Sequence, residues 1–135
     1  MRPNASPGAR AKRILVVEDD PIGGLVLFDY LEAHGYKPFL AKTGPNGVAA
    51  FAKSQPDLVL LDVALPKQNG FEVCFAIRRL PRGEETPVLF MSAVYTDVAH
   101  AERYVRDDLK AQGYFVKPFA LDDLLARVRE LLGGA

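Results

Sequence analysis

Soft metal ligands are scarce in this chain of 135 residues, which holds one cysteine, Cys74, and two histidines, His34 and His100. A single cysteine excludes an internal disulfide, and three such residues scattered along the chain leave no Cys/His metal cluster to assemble. Excess charge is missing as well, since 17 basic residues balance 17 acidic ones. No basic footprint points to nucleic acid, and no acidic tail points to a cationic partner. Long apolar runs are also absent: none approaches the roughly 20 residues that span a bilayer. Residues 1–12 carry charge but no apolar core of the kind a secretory signal needs. We read 1–12 as a disordered tail, 13–132 as one domain too short for two ordinary cores, and 133–135 as a C-terminal tail. Cytoplasmic location, no membrane insertion and no direct contact with nucleic acid are therefore expected.

What is present is an alternation of short apolar runs and helical periodicity, with no internal repeat or low-complexity block. Residues 14–17, Ile-Leu-Val-Val, form a continuous apolar run of the kind found in strands covered on both faces. Asp20-Pro21 opens a helix to about residue 34, with Asp20 as N-cap, Pro21 pre-organised for the first turn and Gly35 just past the end. Leu25, Phe28, Leu31 and Ile22 are assigned as its apolar stripe. Gly23-Gly24 lowers its propensity by about 1 kcal/mol per glycine relative to Ala, which implies close packing on a sheet or a loosened first turn. Further strands are expected at 36–41, 58–61, 88–91 and 114–116, and further helices at 46–53, 71–79, 98–111 and from about 121. In the last helix Leu121, Leu124, Leu125, Val128, Leu131 and Leu132 recur at the spacing of one sheet-facing stripe. Five successive βα units require right-handed crossovers and a parallel sheet, with a ligand crevice at the carboxyl ends of its strands.

Charged residues stand at those strand ends. Glu18 and Asp19 close the first apolar run, Asp62 closes the third, and Lys117 closes the fifth, just before Pro118-Phe119. Three carboxylates on one edge are costly unless protonated, paired or neutralised by a cation. An all-carboxylate pocket suits a hard ion such as Mg²⁺, which takes oxygen ligands and readily bridges to a phosphate oxygen. Exposed acids also follow strands for no reason beyond loop polarity. Lys117 suits either a structural salt bridge or a phosphoryl oxygen, and the two roles can alternate; its bond to Pro118 is a candidate cis peptide, the minority form. Ser92 ends the fourth strand and can donate a hydrogen bond to an incoming oxygen. Tyr114 starts the fifth strand, where an aromatic is more often core than switch.

Together these strings resemble the receiver domain of bacterial response regulators. They are Ile14-Leu15-Val16-Val17-Glu18-Asp19-Asp20, Pro56-Asp57-Leu58-Val59-Leu60-Leu61-Asp62 with Leu65-Pro66 and Gly70 behind it, Met91-Ser92-Ala93, and Tyr114-Phe115-Val116-Lys117-Pro118-Phe119. The resemblance implies a flavodoxin-like doubly wound α/β fold, a five-stranded parallel sheet of order 2-1-3-4-5 with five helices. It implies Asp62 as phospho-acceptor, and Mg²⁺ held by Asp19, Asp62 and the backbone carbonyl of Ala64, with Glu18 acting through water. Lys117 matches the phosphoryl-contacting lysine, Ser92 the switch hydroxyl and Tyr114 the aromatic that follows phosphorylation; the Lys-Pro peptide is usually cis. The implied partners are a sensor histidine kinase or phosphotransfer protein and a downstream protein that the sequence does not name. A phosphorylation-dependent homodimer is among the possible outputs.

Two departures stand out. Ala64 and Val94, each two residues beyond a key position, cannot orient water by hydrogen bonding, so a long-lived aspartyl phosphate is expected. The interval from Ser92 to Lys117 is longer than is usual in the family, which should lengthen the fourth helix or the loop before it and makes a standard dimer through that face less secure. Tyr95, His100, Tyr104 and Arg106 fall there, and His100 and Arg106 are taken as solvated surface. Two other classes compete with the phosphorylated switch. A non-switching module would normally have lost the acceptor, an acidic residue or the lysine, and none is missing. A small phosphohydrolase with an aspartyl nucleophile, as in haloacid-dehalogenase-like enzymes, would carry a second acid where Ala64 stands and would need a cap domain. The expectation is thus a protein that is not an enzyme beyond its own phosphorylation and slow dephosphorylation. No effector domain is read after Leu132, so the chain is either a stand-alone receiver or a piece of a longer protein.

Overall fold

The computed structural model describes residues 10–93 and 103–133. Five strands form one sheet: β1 (Arg13–Val17), β2 (Lys37–Ala41), β3 (Leu58–Asp62), β4 (Val88–Ser92) and β5 (Gly113–Val116). Their order is β2-β1-β3-β4-β5, and every neighbouring pair is parallel. Strand order reverses between β1 and β3, which opens a crevice at their carboxyl ends.

Strand alternation explains why the central strands read as continuous apolar runs. Leu15, Val17, Val59, Leu61, Val88 and Phe90 face one cluster, while Ile14, Val16, Leu58, Leu60, Leu89 and Met91 face the other. The first cluster is covered by α2 (Gly44–Ser54), α3 (Gly70–Arg78) and a π-helical segment, Tyr104–Asp108. The second is covered by α1 (Pro21–Ala33) and α4 (Leu121–Leu132), where Leu124, Leu125 and Val128 are buried and Leu121, Leu131 and Leu132 flank them. Among the described residues, four α-helices and the π-helical segment stand at the five helical elements expected.

Caps fix the helix starts. Asp20 accepts a hydrogen bond from the Gly23 amide at 3.1 Å, Thr43 accepts from Asn46, and Asn69 with Glu72 closes a reciprocal capping box on α3. Helix α2 begins two residues before the expected 46, because Pro45 is accommodated in the first turn.

Two expectations need correction. The buried stripe of α1 is Gly24, Leu27 and Leu31, whereas Ile22 is 74% and Leu25 55% exposed. Gly24 sets the phase: a Cβ there would lie 3.0 Å from Leu40 Cδ1, so the helix seats on β2 through a residue with no side chain to announce it. Close packing is therefore the reason for that glycine. The fourth helical element ends at Asp108 instead of 111, because Lys110 turns left-handed (φ 56°) so that Leu109 and Ala111 can both be buried. The start of that element, the insertion's effect on it, Val94, Tyr95, His100 and most of the tails lie outside the described residues.

Gly70 is a position where backbone approaches backbone. A Cβ there would meet the Asp62 carbonyl oxygen at 2.2 Å and the Val63 Cα at 2.8 Å. We expect Gly70→Ala to destabilise the fold by about 2 kcal/mol, measured by urea denaturation, with the largest chemical-shift changes at Asp62 and Val63. An unchanged midpoint would show that the loop yields without cost.

Candidate functional site

Register brings the strand-end residues together. Val17 pairs with Leu61 and Asp62 with Met91, while Ser92 pairs with Val116. Glu18 and Asp62 are therefore next-rung neighbours at the carboxyl edge, and Lys117 emerges just beyond Ser92. The amide of Lys117 donates to the Ser92 carbonyl at 2.8 Å, and the Lys117-Pro118 peptide is cis.

The lysine ammonium closes the site. Lys117 Nζ lies 2.6 Å from Glu18 Oε1 and 2.7 Å from Asp62 Oδ2. Both acids are nearly sealed from solvent, at 2% and 4% exposure, while Asp19 is exposed. The other oxygen of Asp62 accepts from the Ala64 amide at 2.9 Å, and Glu18 Oε2 accepts from the Asp20 amide at 3.3 Å. These two amide donors have no sequence signature, because any residue but proline supplies one. Asp20 thus caps α1 with its side chain and braces Glu18 with its backbone.

Electrostatics show an under-neutralised pocket. Burial, then the hydrogen bond and charge of Asp62, push the Glu18 carboxyl up from 4.5 to about 7 even though Lys117 pulls it down. Burial would lower the Lys117 ammonium, but hydrogen bonds to Asp62 and Glu18 outweigh it and raise the pKa. One cation shared by two acids, with Asp19 alongside, leaves negative charge over. Ligand oxygens of Glu18, Asp19 and Asp62 lie within 4.8 Å of one another, a hard-donor set that fits a divalent cation such as Mg²⁺. With Lys117 spanning two of them, all four residues of the expected constellation meet.

Ser92 is fully buried at the end of β4. Tyr114 lies two rungs deeper, beside Phe90, half-buried against the cluster under α3 and the π-helical segment. It is not part of the acidic notch. The side chain of Ala64 is exposed.

A parallel 2-1-3-4-5 sheet with three carboxylates and a lysine at its switch point is the architecture of a phosphoryl-accepting signalling domain. Residues 14–129 match the response regulator receiver domain, and the chain belongs to that family, the phosphoryl acceptor of two-component signalling. It is 41% identical over 121 residues to the DNA-binding dual master transcriptional regulator RpaA of Synechocystis, covering 89% of this chain and 48% of that protein. It is 40% identical to the transcriptional regulatory protein PcoR of Escherichia coli, covering 90% and 51%. The chain thus spans about half the length of these curated relatives, and their names leave the expectation of no nucleic-acid contact without support. Among solved structures, chemotaxis protein CheY4 of Vibrio cholerae superimposes with a TM-score of 0.81 at 26% identity, covering 91% of this chain and 100% of that one. The receiver domain of the Pseudomonas aeruginosa sensor kinase PA1611, solved with magnesium in its active-site cleft, gives 0.80 at 25%, covering 93% and 100%. Receiver domains of this family interact with histidine kinases or phosphotransfer proteins, and theirs is not a family of catalytic enzymes. Among the described residues no helix is long and apolar enough to cross a membrane.

The raised Glu18 value sets a pH dependence. Because the folded protein holds a proton that the unfolded chain releases between about pH 4.5 and 7, this group's stabilisation is complete below pH 4.5 and is lost as pH rises through about 7. In metal-free protein it amounts to at most about 3 kcal/mol. Denaturation midpoints at pH 5.5 and 7.5 should therefore differ less in Glu18→Gln than in the parent; an identical pH difference in both proteins would assign it to other groups.

Proposed function

We propose that Asp62 is the phospho-acceptor, that Lys117 neutralises the transferred group, and that Ser92 and Tyr114 relay its arrival to a partner surface. The observation that carries this is the ammonium of Lys117 between the buried oxygens of Glu18 and Asp62, at 2.6 and 2.7 Å. A lysine so placed has to give up contacts for an incoming phosphoryl oxygen, so occupancy of the site and its charge pairing are linked. The donor is the phosphohistidine of a sensor kinase or phosphotransfer protein. The partner downstream, a second copy of the chain included, depends on the make-up of the whole protein, as does any role in DNA binding.

Transfer forms a bond from an Asp62 carboxylate oxygen to phosphorus as the phosphorus–nitrogen bond to the donor imidazole breaks. Such transfer is loose and in line, so positioning and charge neutralisation supply most of the catalysis. The Ala64 amide on Asp62 Oδ1 leaves the other oxygen, Oδ2, as the one that exchanges Lys117 for phosphorus. Asp19, Asp62 and the Ala64 carbonyl would hold Mg²⁺, with Glu18 acting through water, and the ion when bound supplies positive charge to the phosphoryl oxygens. Lys117 then takes a phosphoryl oxygen and Ser92 donates to another. Movement of Ser92 changes the balance between two packings of its loop and of Tyr114, a population shift biased by the phosphate.

Incubation with acetyl phosphate and Mg²⁺ should add one phosphate to the parent by intact mass and none to Asp62→Ala. No adduct on the parent with any donor would overturn the assignment in favour of a non-switching module. Turnover of phosphomonoesters by the parent would overturn the view that its chemistry is confined to its own acceptor.

Phosphate lifetime is the second expectation. The Ala64 methyl is exposed yet cannot hold a water by hydrogen bonding. Phosphate release from the parent should be slow, and Ala64→Asn should speed it on the order of threefold to tenfold, at most about 1.4 kcal/mol of barrier. Rapid release from the parent, unchanged in the variant, would show that water reaches the acyl phosphate without help from that side chain.

A further inference from the structure

We propose that Arg78 is a positioning residue that clamps the end of the π-helical segment and so holds Tyr104 against Phe71. The guanidinium reaches four backbone carbonyls in two loops. Nε donates to Leu109 at 3.0 Å and Nη2 to Lys110 at 2.8 Å, while Nη1 donates to Gly83 at 2.7 Å and Thr86 at 2.6 Å. Each gripped loop contains a left-handed non-glycine residue, Arg82 at φ 66° in one and Lys110 at φ 56° in the other. Side chains resist that conformation, and a chain leaving a helix through it presents carbonyls with no helical partner. A planar group with five donors meets such carbonyls together; a lysine, a compact point charge with three donors, cannot span them.

What the clamp fixes is an unusual helix end. The Leu109 amide donates to Tyr104 at 3.1 Å, one residue further back than in an α-helix, and the Ala111 amide closes the end on Val105 at 2.8 Å, two residues further back. This places the Tyr104 ring edge-on to Phe71 at 5.3 Å, and Phe71 in turn packs on Phe90 at 5.2 Å. Phe71 is the second residue of α3, directly after Gly70, whose amide donates to Val63 behind the acceptor loop. Arg78 at the far end of the same helix therefore pins the segment that Phe71 touches at the near end. The clamp stands on this geometry alone; its bearing on signalling rests on Asp62 as the acceptor.

Amide hydrogen exchange on the whole chain tests it. In Arg78→Lys the Leu109 and Ala111 amides should exchange at least tenfold faster, with the β1 and β3 amides of Val16 and Leu60 within twofold of the parent and the Tyr104 ring resonances shifted. Adding Lys110→Gly should restore much of the lost protection, because glycine adopts the left-handed conformation at no steric cost. Unchanged exchange at Leu109 and Ala111, an equal loss in β1 and β3, or no recovery in the double variant would each overturn the clamp. Phosphate uptake from acetyl phosphate is read in the same samples: failure of the parent to accept phosphate would count against Asp62 as acceptor, while the exchange data would still decide the clamp.

Discussion

One ammonium group holds the carboxyl edge of this sheet together. Lys117 sits 2.6 Å from Glu18 and 2.7 Å from Asp62, two carboxylates that are almost fully buried. Removed from water side by side, those acids would repel each other; with the lysine between them, part of that cost is offset. The offset is incomplete, as the carboxyl of Glu18, pushed up to about 7, shows. The pocket is thus poised for more positive charge, and a divalent cation is the partner its oxygen donors suit.

Everything else in the fold serves to deliver those groups to one place. Parallel pairing carries β1, β3, β4 and β5 to the same edge, and the register sets Glu18 beside Asp62 and Lys117 just beyond Ser92. Apolar side chains on both faces lock that register, because a slip by one residue would exchange the two clusters wholesale. Gly70 lets the chain turn back against the Asp62 carbonyl, and the α3 capping box then fixes the direction of the next helix. The proposed relay residue Tyr114 lies deeper, under α3 and the π-helical segment, so a change at the edge has to pass through packing to reach it.

The strands and the acidic edge were legible in the sequence because both are written in side chains: short apolar runs, the first, third and fifth of them ending in a charge. The resemblance of four ordered strings to a known family added the strand order. What stayed hidden was written in backbone. The phase of α1 is set by Gly24, which offers close approach in place of an apolar side chain, so of the stripe read as Leu25, Phe28, Leu31 and Ile22 only Leu31 is buried, while Leu25 and Ile22 face solvent. The end of the fourth helical element was equally opaque, since the left-handed turn at Lys110 is held by a distant arginine and not by any glycine signal nearby. The amides of Ala64 and Asp20 that brace Asp62 and Glu18 carry no signature at all.

Under the proposed function, one carboxylate among three neighbours, Asp62, receives the phosphoryl group, although Glu18 also meets Lys117 and a backbone amide. Reduction of the phosphorylated protein with borohydride converts an acyl phosphate to an alcohol and marks its position for peptide mass spectrometry. Homoserine is predicted in place of Asp62, with Glu18 and Asp19 intact. A reduced residue at Glu18 or Asp19, with Asp62 unmodified, would contradict this assignment.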